Sequence, residues 1–465
     1  MKLWSNLKTA LLKNSKQTVN ENETSITYEE LALFSEMFAE KLVGQRCCAI
    51  LCGSEMVTSM ALLSCFAAGV TAVPLSMRYG WAHCEKILDT INPTGIITDA
   101  DGELKVMNLK DSTYKEPRRH PALIMCTSGT TGRPKGVMLS EQNILVNLKD
   151  ISQYFSITDE DSILISRPLY HCAVLTGEFL TALLKGCKIH FYSEEFNPKK
   201  LLDLMKEKKI TVFGGTPTLL NMLSFFVQKR SLALKTICVS GECMSETIGQ
   251  NIREAFPNTR IYHVYGLTEA CPRISYLPPE CFAETPDSVG IPLDSVSIKI
   301  LREDGKRAKT NEAGTLWVRG ENIMIGYYND PVQTAKVLKK GWLCTGDVAV
   351  VDKKGFLRIK GRKDDLIIRA GMNIYPQEIE AALRSDPRVK EVCVYRVDHP
   401  VLGSLIGMKI AGEFAHKDEV HQLCMELLPP FQVPTVIELL AELPKNGSGK
   451  IMRKQGGEKN ENDFK

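Results

Sequence analysis

The clearest candidate for chemistry in this 465-residue chain is a loop rich in glycine and hydroxyl residues, CTSGTTGRPKG at residues 126–136. Glycines let the backbone turn tightly, so that its N–H groups can point into one concavity, while the hydroxyls and the lysine add donors and positive charge. The spacing is not that of a Walker A motif. The loop favours a polyphosphate ligand; taken alone, a surface turn between two strands is the alternative. The candidate ligand-binding residues are Thr127, Ser128, Gly129, Thr130, Thr131 and Lys135.

Four later stretches carry residue types that could complete such a site. They are Tyr265-Gly266-Leu267-Thr268-Glu269, Gly341-Trp342-Leu343-Cys344-Thr345-Gly346-Asp347, Gly361-Arg362-Lys363-Asp364-Asp365 and Asn446-Gly447-Ser448-Gly449-Lys450. In this order, after the glycine-rich loop, they resemble the adenylate-forming superfamily, which includes acyl-CoA synthetases, adenylation domains of peptide synthetases and firefly luciferase. Each motif alone is weak, whereas all of them in order are specific.

The resemblance implies an ATP-dependent ligase that works in two steps. A carboxylate attacks the α-phosphorus of ATP with release of pyrophosphate, and the acyl-adenylate then passes to a phosphopantetheine thiol. Since two anions must meet, the site needs positive charge, oriented donors and a metal ion. The resemblance assigns the β- and γ-phosphates to the glycine-rich loop, the α-phosphate to Thr268 and Mg²⁺ to Glu269, whose carboxylate oxygens suit that ion.

The resemblance also implies how the nucleoside is held. Asp347 would accept hydrogen bonds from both ribose hydroxyls, which a carboxylate can do with its two oxygens. Arg362 would reach the ribose or a phosphate, and Tyr265 would offer an aromatic face to adenine. The expected nucleotide-binding residues outside the loop are Ser240, Gly241, Glu242, Tyr265, Gly266, Asp347 and Arg362.

The C-terminal part of the chain is expected to move during the reaction. Lys450 resembles the lysine that contacts the α-phosphate and the attacking carboxylate, and Asp364 occupies the hinge position of the family. After adenylation this part would swing, remove Lys450 and bring Gly371-Met372-Asn373 to a tunnel for the thiol.

The acid pocket is expected around His171, which matches the aromatic gate of acyl-CoA synthetases. Its other expected lining residues are Phe213, Gly214, Gly215, Leu267 and Arg273. The two glycines should leave room for a flat or bulky group, and Arg273 either meets a second carboxylate or faces solvent. No acidic residue lies between Pro168 and Gly177, which disfavours an α-amino acid because its ammonium would lack a partner. An aryl or medium-length acyl acid is expected.

The thiol acceptor is external, because the sequence contains no visible carrier-protein domain. Coenzyme A is the first choice, with Arg369 and Lys409 as sources of charge for its 3′-phosphate; a stand-alone acyl–carrier-protein ligase is the alternative. The family's Gly-Gly and Gly-Glu pairs are absent at Ala370-Gly371 and Gly403-Ser404, on the thioester-forming face, so the acceptor stays open. A nucleotide-binding protein without turnover is the third possibility, which the intact Lys135, Glu269, Asp347 and Lys450 disfavour.

Composition narrows the partners and the compartment. The net charge of +3 gives no argument for nucleic acid. The uncharged stretch from Met56 to Met77 predicts a buried helix followed by a buried strand rather than a membrane span. The 15 cysteines form no Cys-x-x-Cys pair, which predicts free thiols in a reducing cytoplasm.

Alternation of short β-type and helical runs predicts an α/β fold with a parallel sheet. We expect a large N-terminal domain of stacked α/β sheets at residues 1–362, which binds ATP and the carboxylate and contains a β-rich subdomain at about 289–351. Residues 363–465 are expected to form a small mobile α+β domain that carries the catalytic lysine.

Overall fold

The helices begin and end where local chemistry dictates. The computed structural model describes residues 2–99, 102–128, 134–227, 231–369, 372–399, 403–444 and 451. The hydroxyl of Thr27 caps the helix Tyr28–Lys41 and the Glu30 carboxylate reciprocates, which forms a capping box. Ser54 caps Glu55–Ala68, and Gly69 ends that helix in the left-handed conformation with φ 70°.

The helices are α1 Lys2–Lys13, α2 Tyr28–Lys41, α3 Glu55–Ala68, α4 Trp81–Ile91, α5 Glu141–Tyr154, α6 Cys172–Val174, α7 Thr181–Lys185, α8 Pro198–Glu207, α9 Pro217–Val227, α10 Glu246–Ala255, α11 Pro331–Val337, α12 Pro376–Leu383 and α13 Lys417–Leu427. A π-helical segment, Leu175–Leu180, joins α6 to α7. Short 3₁₀ turns occur at Met77–Tyr79, Thr268–Ala270, Pro279–Cys281, Lys363–Asp365 and Pro430–Gln432.

The strands are β1 Thr18–Glu21, β2 Thr24–Thr27, β3 Cys47–Leu51, β4 Thr71–Pro74, β5 Gly95–Thr98, β6 Lys105–Asn108, β7 Leu123–Ser128, β8 Pro134–Leu139, β9 Ser162–Ile165, β10 Lys188–Phe191, β11 Val212–Gly215, β12 Thr236–Val239, β13 Arg260–Gly266, β14 Arg273–Leu277, β15 Ile291–Pro292, β16 Ser297–Leu301, β17 Gly314–Arg319, β18 Gly326–Tyr327, β19 Leu338–Lys339, β20 Trp342–Val351, β21 Leu357–Arg362, β22 Ile367–Arg369, β23 Met372–Ile374, β24 Val389–His399, β25 Gly403–Gly412 and β26 Val436–Leu439.

Two large sheets carry the first part of the chain. Over the described residues, the first has the strand order β15-β14-β13-β12-β11-β9-β10-β1-β2, and the second has the order β18-β8-β7-β4-β3-β5-β6. The strands β13, β12, β11, β9 and β10 run parallel to one another, and antiparallel strands lie at the edges. The predicted α/β class with a parallel sheet is therefore confirmed.

The main core lies between these sheets. Its largest cluster of buried side chains combines residues of helices α1, α2, α3 and α5 with residues of both sheets, for example Leu7, Leu62, Leu139, Ile151 and Ile189. The uncharged stretch predicted as a buried helix and strand forms α3 and β4. None of the helices in the described part of the chain is long and apolar enough to cross a membrane.

A smaller sheet follows, with the order β16-β17-β20-β19 and β21 paired to β20. The β-rich segment is expected at about 289–351, but its sheet continues through β21 to Arg362, because β21 pairs with β20 over Asp347 to Val351. Beyond it, β22 to β26, α12 and α13 enclose a separate core that includes Ile379, Val394 and Leu423. The domain boundary at residue 363 stays a prediction.

Candidate active site

The candidate site lies where parallel strands of the first sheet end. Arg167 follows β9, Thr216 follows β11, Ser240-Gly241 follows β12 and Thr268 follows β13. Because the carboxyl ends of parallel strands meet at one edge, these segments converge, and this edge is where α/β sheets bind ligands. Gly241 has φ +99°, a conformation that suits glycine, and a side chain there would contact Thr216 and Arg167.

Asp347 is the best-organised acid of this edge. The residue is 5% exposed. The Tyr265 hydroxyl donates to its Oδ2, and Arg362 Nε lies 3.2 Å from its Oδ1. The contact with Arg362 follows from the pairing of β20 with β21, which sets the two residues opposite each other. A second bond joins Arg362 Nη1 to the carbonyl of Thr345 at 2.8 Å.

The electrostatics of this group follow from its burial. Burial raises the pKa of Tyr265, and the Asp347 carboxylate beside it raises that pKa further. The side chain of Arg362 is 48% exposed. Its partial burial lowers the pKa, but Asp347 and its other acidic neighbours outweigh this effect, so the pKa is raised overall. Tyr265 therefore stays a neutral donor and Arg362 a cation. A stacking role of Tyr265 on adenine stays a prediction.

Glu269 and Lys135 both contact the side chain of Tyr327. The 3₁₀ turn Thr268–Ala270 carries Glu269, whose Oε1 accepts from the Tyr327 hydroxyl at 2.8 Å. Lys135 Nζ lies 5.4 Å from the centroid of the Tyr327 ring. Burial raises the pKa of Tyr327 and Glu269 adds to the effect. The sequence does not single out Tyr327, since a tyrosine in Gly326-Tyr327 carries no motif.

The described ends of the glycine-rich loop lie in two paired strands. Thr127 pairs with Lys135 across the antiparallel strands β7 and β8. The predicted ligand residues Gly129, Thr130 and Thr131 lie outside the described residues, and Ser128 is described only by its backbone. Phosphate binding by this loop stays a prediction.

Glu242 has a structural partner that sequence reasoning did not foresee. Its Oε2 accepts from the Thr218 hydroxyl at 2.6 Å and from the Thr218 amide at 3.3 Å. Thr218 lies in the first turn of α9, where amides lack partners within the helix. Glu242 therefore caps this helix, and its expected contact with the nucleotide stays a prediction, as do those of its buried neighbour Ser240 and of Gly266.

His171 is partly buried, and its ring is neutral near pH 7. It precedes α6, and its Nε2 forms a hydrogen bond with the Tyr79 hydroxyl. Burial lowers its pKa to about 4, and the positive charge of Arg167 contributes. The sequence does not indicate Tyr79, because it precedes His171 by many residues and meets it only in the fold.

Two pocket expectations need correction. Arg273 is 2% exposed, so the solvent-facing alternative is wrong. Its Nη2 donates to the Cys238 sulfur at 3.3 Å. A side chain at Gly214 would collide with the Glu178 carboxylate, and one at Gly215 would meet Leu220 at 3.0 Å. The space beside both glycines is therefore filled by the protein, and the expectation that they leave room there is wrong.

Phe213 and Leu267 are the remaining residues that are predicted to line the acid pocket. Phe213 is fully buried in the core between β11 and α9, and Leu267 is half-buried just before the turn that carries Glu269. Their contact with an acid stays a prediction.

The predicted hinge residue, Asp364, is exposed. Asp364 lies in the 3₁₀ turn Lys363–Asp365. Near it, Lys360 pairs with Glu378 at 3.0 Å, and Gln377 donates to Asp365 at 3.3 Å.

Lys450 and Gly371 lie outside the described residues, and the side chains of Arg369, Met372 and Asn373 are not described. Lys409 is 3% exposed and lies over the Tyr395 ring, so it is not a surface charge for a phosphate.

The donor set fits a magnesium ion held mainly by its substrate. Mg²⁺ commonly takes one or two carboxylates together with phosphate oxygens and water. Glu269 offers one carboxylate at the proposed phosphate end, and the described residues hold no cluster of His, Cys, Asp or Glu that could bind a metal unaided.

All 15 cysteines are free thiols, as predicted.

Comparison with known proteins identifies relatives over most of the chain. The profile of AMP-binding enzymes matches residues 8–328, and that of the AMP-binding enzyme C-terminal domain matches residues 378–450. A long-chain-fatty-acid–CoA ligase of Haemophilus influenzae is 34% identical over 72% of this chain and 61% of its own length. A feruloyl-CoA synthase of Amycolatopsis is 30% identical over 84% of each chain.

The fold also has close counterparts among solved structures. O-succinylbenzoate coenzyme A synthetase of Bacillus subtilis in complex with AMP superposes with a TM-score of 0.83 at 27% identity, over 96% of this chain and 97% of its own. Its complex with ATP and magnesium gives a TM-score of 0.82.

Proposed function

Because this chain belongs to the AMP-binding enzyme family, we propose that it activates a carboxylic acid with ATP and transfers the acyl group to coenzyme A. The enzyme is an AMP-forming acid–thiol ligase. It uses ATP and Mg²⁺, releases pyrophosphate and forms an acyl-adenylate as its intermediate. Its substrate is a small carboxylic acid, and we propose an aryl or medium-length acyl acid.

The observation that carries this proposal is the Asp347 group at the ligand edge of the sheet. A buried carboxylate held by Tyr265 and Arg362 is ready to accept from two vicinal hydroxyls, which is what a ribose presents. Arg362 brings a cation to the same place. These two contacts hold both oxygens of the carboxylate in a fixed direction.

The residues around Tyr327 suit the phosphate end. Glu269 would hold Mg²⁺, which spreads negative charge over the phosphates when it is bound. Lys135 adds a positive charge beside the Tyr327 ring. Tyr327 donates to Glu269 and so fixes the direction of its carboxylate. His171 is uncharged near neutral pH, so it would orient the acid without adding charge.

Transfer to the thiol completes the proposal. Residues 363–465 form the mobile domain, Asp364 is the hinge, and Lys450 drives adenylation before the domain turns. Coenzyme A is the acceptor, since the named relatives are coenzyme A ligases; a carrier protein is not favoured. The contact of Lys360 with Glu378 spans the hinge as a partly buried ion pair, which a domain that must detach can break. The free thiols support the prediction of a reducing cytoplasm.

The test is pyrophosphate release with ATP, Mg²⁺ and a panel of aryl, fatty and amino acids, with and without coenzyme A. Acid-dependent release and a new thioester on adding coenzyme A are expected. Activation that coenzyme A leaves unchanged would transfer the proposal to a carrier-protein thiol. Lys450→Ala should abolish ATP–pyrophosphate exchange; exchange at the normal rate would show that the role given to Lys450 is wrong.

A further inference from the structure

Three charged side chains are buried together beside the expected acid pocket. We call Arg167, Glu178 and Arg273 the charged layer. Arg167 Nη2 donates to Glu178 Oε1, and Glu178 and Arg273 influence each other electrostatically. The side chain of Glu178 is 2% exposed and that of Arg167 is 18% exposed. Buried charges are rare because their desolvation is costly, so such a layer calls for a reason.

The layer faces the same strand ends as the candidate site. Glu178 lies on the π-helical segment and fills the space beside Gly214. Arg273 fills the space beside Gly177, where an added side chain would meet its Nη2 at 2.9 Å. Arg167 reaches Ser240, its Nη2 lying 3.5 Å from the hydroxyl oxygen. Arg167 is therefore the member that the cleft meets, and the other two lie behind it.

Several atoms of the layer have no hydrogen-bond partner in the described part of the chain. They are Arg167 Nε, Glu178 Oε2 and Arg273 Nε. An apolar chain that reached this layer would add further desolvation without satisfying any of these atoms. To pass deeper it would have to displace the Glu178 carboxylate from between Arg167 and Gly214, which leaves two guanidinium groups without their counter-charge.

We propose that the charged layer closes the inner end of the acid pocket and restricts this enzyme to compact acids, so that long straight-chain fatty acids are excluded. The inference rests on the proposed function and names the substrate class of the same site. It separates this chain from its relative named for long-chain fatty acids. Glu178 acts as a specificity-determining residue and touches no reacting atom.

The first experiment compares straight-chain acids in wild-type enzyme by acid-dependent ATP–pyrophosphate exchange. The series is butyrate, hexanoate, octanoate, dodecanoate and palmitate, with benzoate as a compact aryl acid. We expect kcat/KM for palmitate to fall at least about 100-fold below that of the best compact acid, since the excess methylenes either displace the Glu178 carboxylate or keep the acid's own carboxylate from its reacting position. Palmitate at a rate equal to that of hexanoate would overturn the inference and leave the proposed function intact.

The second experiment opens the layer. Glu178→Ala should raise the ratio of kcat/KM for dodecanoate to that for hexanoate by about tenfold, because a deeper pocket lets extra methylenes be buried. The paired substitution Arg167→Met with Glu178→Met removes the ion pair, whose replacement by apolar side chains is often neutral for stability. Methionine side chains are flexible and apolar, so an alkyl chain can contact them or push them aside, and the ratio should shift in the same direction. An unchanged ratio in a folded variant overturns the inference.

The matched control is Asp161→Ala. Asp161 is also a buried carboxylate with a cationic neighbour, Lys235 at 3.6 Å, and it accepts from Thr211 at 2.8 Å. It precedes β9, at the opposite edge of the same sheet. It should lower stability without moving the chain-length ratio, and a shift equal to that of Glu178→Ala would mean that the ratio reports general loosening. If no acid of the series or of the wider panel supports ATP–pyrophosphate exchange, the proposed function is overturned, and the inference with it.

Discussion

The nucleotide end and the acid end of the site are built on different principles. At the nucleotide end, Asp347 is satisfied by Tyr265 and Arg362, and each partner comes from a recognisable motif. At the acid end, Glu178 and its arginines come from positions without a motif, and some of their polar atoms lack partners among the described residues. The nucleotide end suits a ligand that is always the same, ATP. At the acid end, the polar residues can differ without any change in the contacts with ATP.

The sharpest way to break this contrast is Asp347→Ala. The ribose would lose its acceptor and Arg362 its counter-ion, so kcat/KM for ATP should fall by about 10²–10³-fold. The measurement is ATP–pyrophosphate exchange with a saturating acid. The control is Asp352→Ala, in the same part of the chain, whose partner Arg358 lies at 2.6 Å. A similar loss of kcat/KM in Asp352→Ala would show that disturbance of the smaller sheet, and not loss of the ribose acceptor, lowers the activity.

The two ends should also differ in how much stability is lost when a buried carboxylate is removed. Glu178→Gln keeps the shape of the side chain but removes the negative charge between Arg167 and Arg273, so the free energy of unfolding should fall by about 2–4 kcal/mol. Asp347→Ala should cost less, about 1 kcal/mol, because the cleft hydrates Arg362. Urea unfolding of both variants measures the difference. Equal losses of unfolding free energy in the two variants would mean that the buried charges of the acid end are no more costly to unbalance than those of the nucleotide end.

A smaller effect is expected from Tyr327→Phe. The variant loses only the hydroxyl that donates to Glu269 at 2.8 Å, and the ring that Lys135 contacts remains. The Mg²⁺ concentration for half-maximal activity should rise by about 3–10-fold, in line with one hydrogen bond to a charged group. Tyr328→Phe, whose hydroxyl accepts from the Lys115 amide at 3.0 Å, is the control and should leave the Mg²⁺ requirement unchanged.

The titration of His171 should have the smallest effect near neutral pH. Its pKa falls from 6.5 to about 4 in the folded chain, so the ring is neutral in both states above pH 6.5. Between pH 6.5 and 4 the unfolded chain binds the proton first, so the stability that His171 contributes is lost as the pH falls through this window. NMR of labelled histidine should give a folded pKa of about 4. A value near 6.5 would show that the ring is not buried as described.

The sequence predicts what contiguous motifs encode. Local patterns in the sequence are enough to predict the alternation of strands and helices, the glycine-rich loop, and the acids Glu269 and Asp347. No comparable signal exists for Tyr79, Tyr327 or Glu178, because each acts through a partner that the fold brings from far along the chain. The expectation for Gly214 is wrong for the same reason: a glycine shows that space is needed, but only the fold shows that Glu178 takes it.

One consequence follows from the way Asp347 is held before any ligand arrives. Both of its carboxylate oxygens already have a partner, Tyr265 on one and Arg362 on the other, and each oxygen keeps a further lone pair for a ribose hydroxyl. The acceptor is therefore oriented in advance, and nucleotide binding does not bear the entropy cost of fixing its side chain. Arg362 lies two positions before Asp364 in the chain. By thermodynamic reciprocity, a rearrangement at the hinge that moves Arg362 away weakens the hold on nucleotide, and bound nucleotide opposes that rearrangement by the same factor.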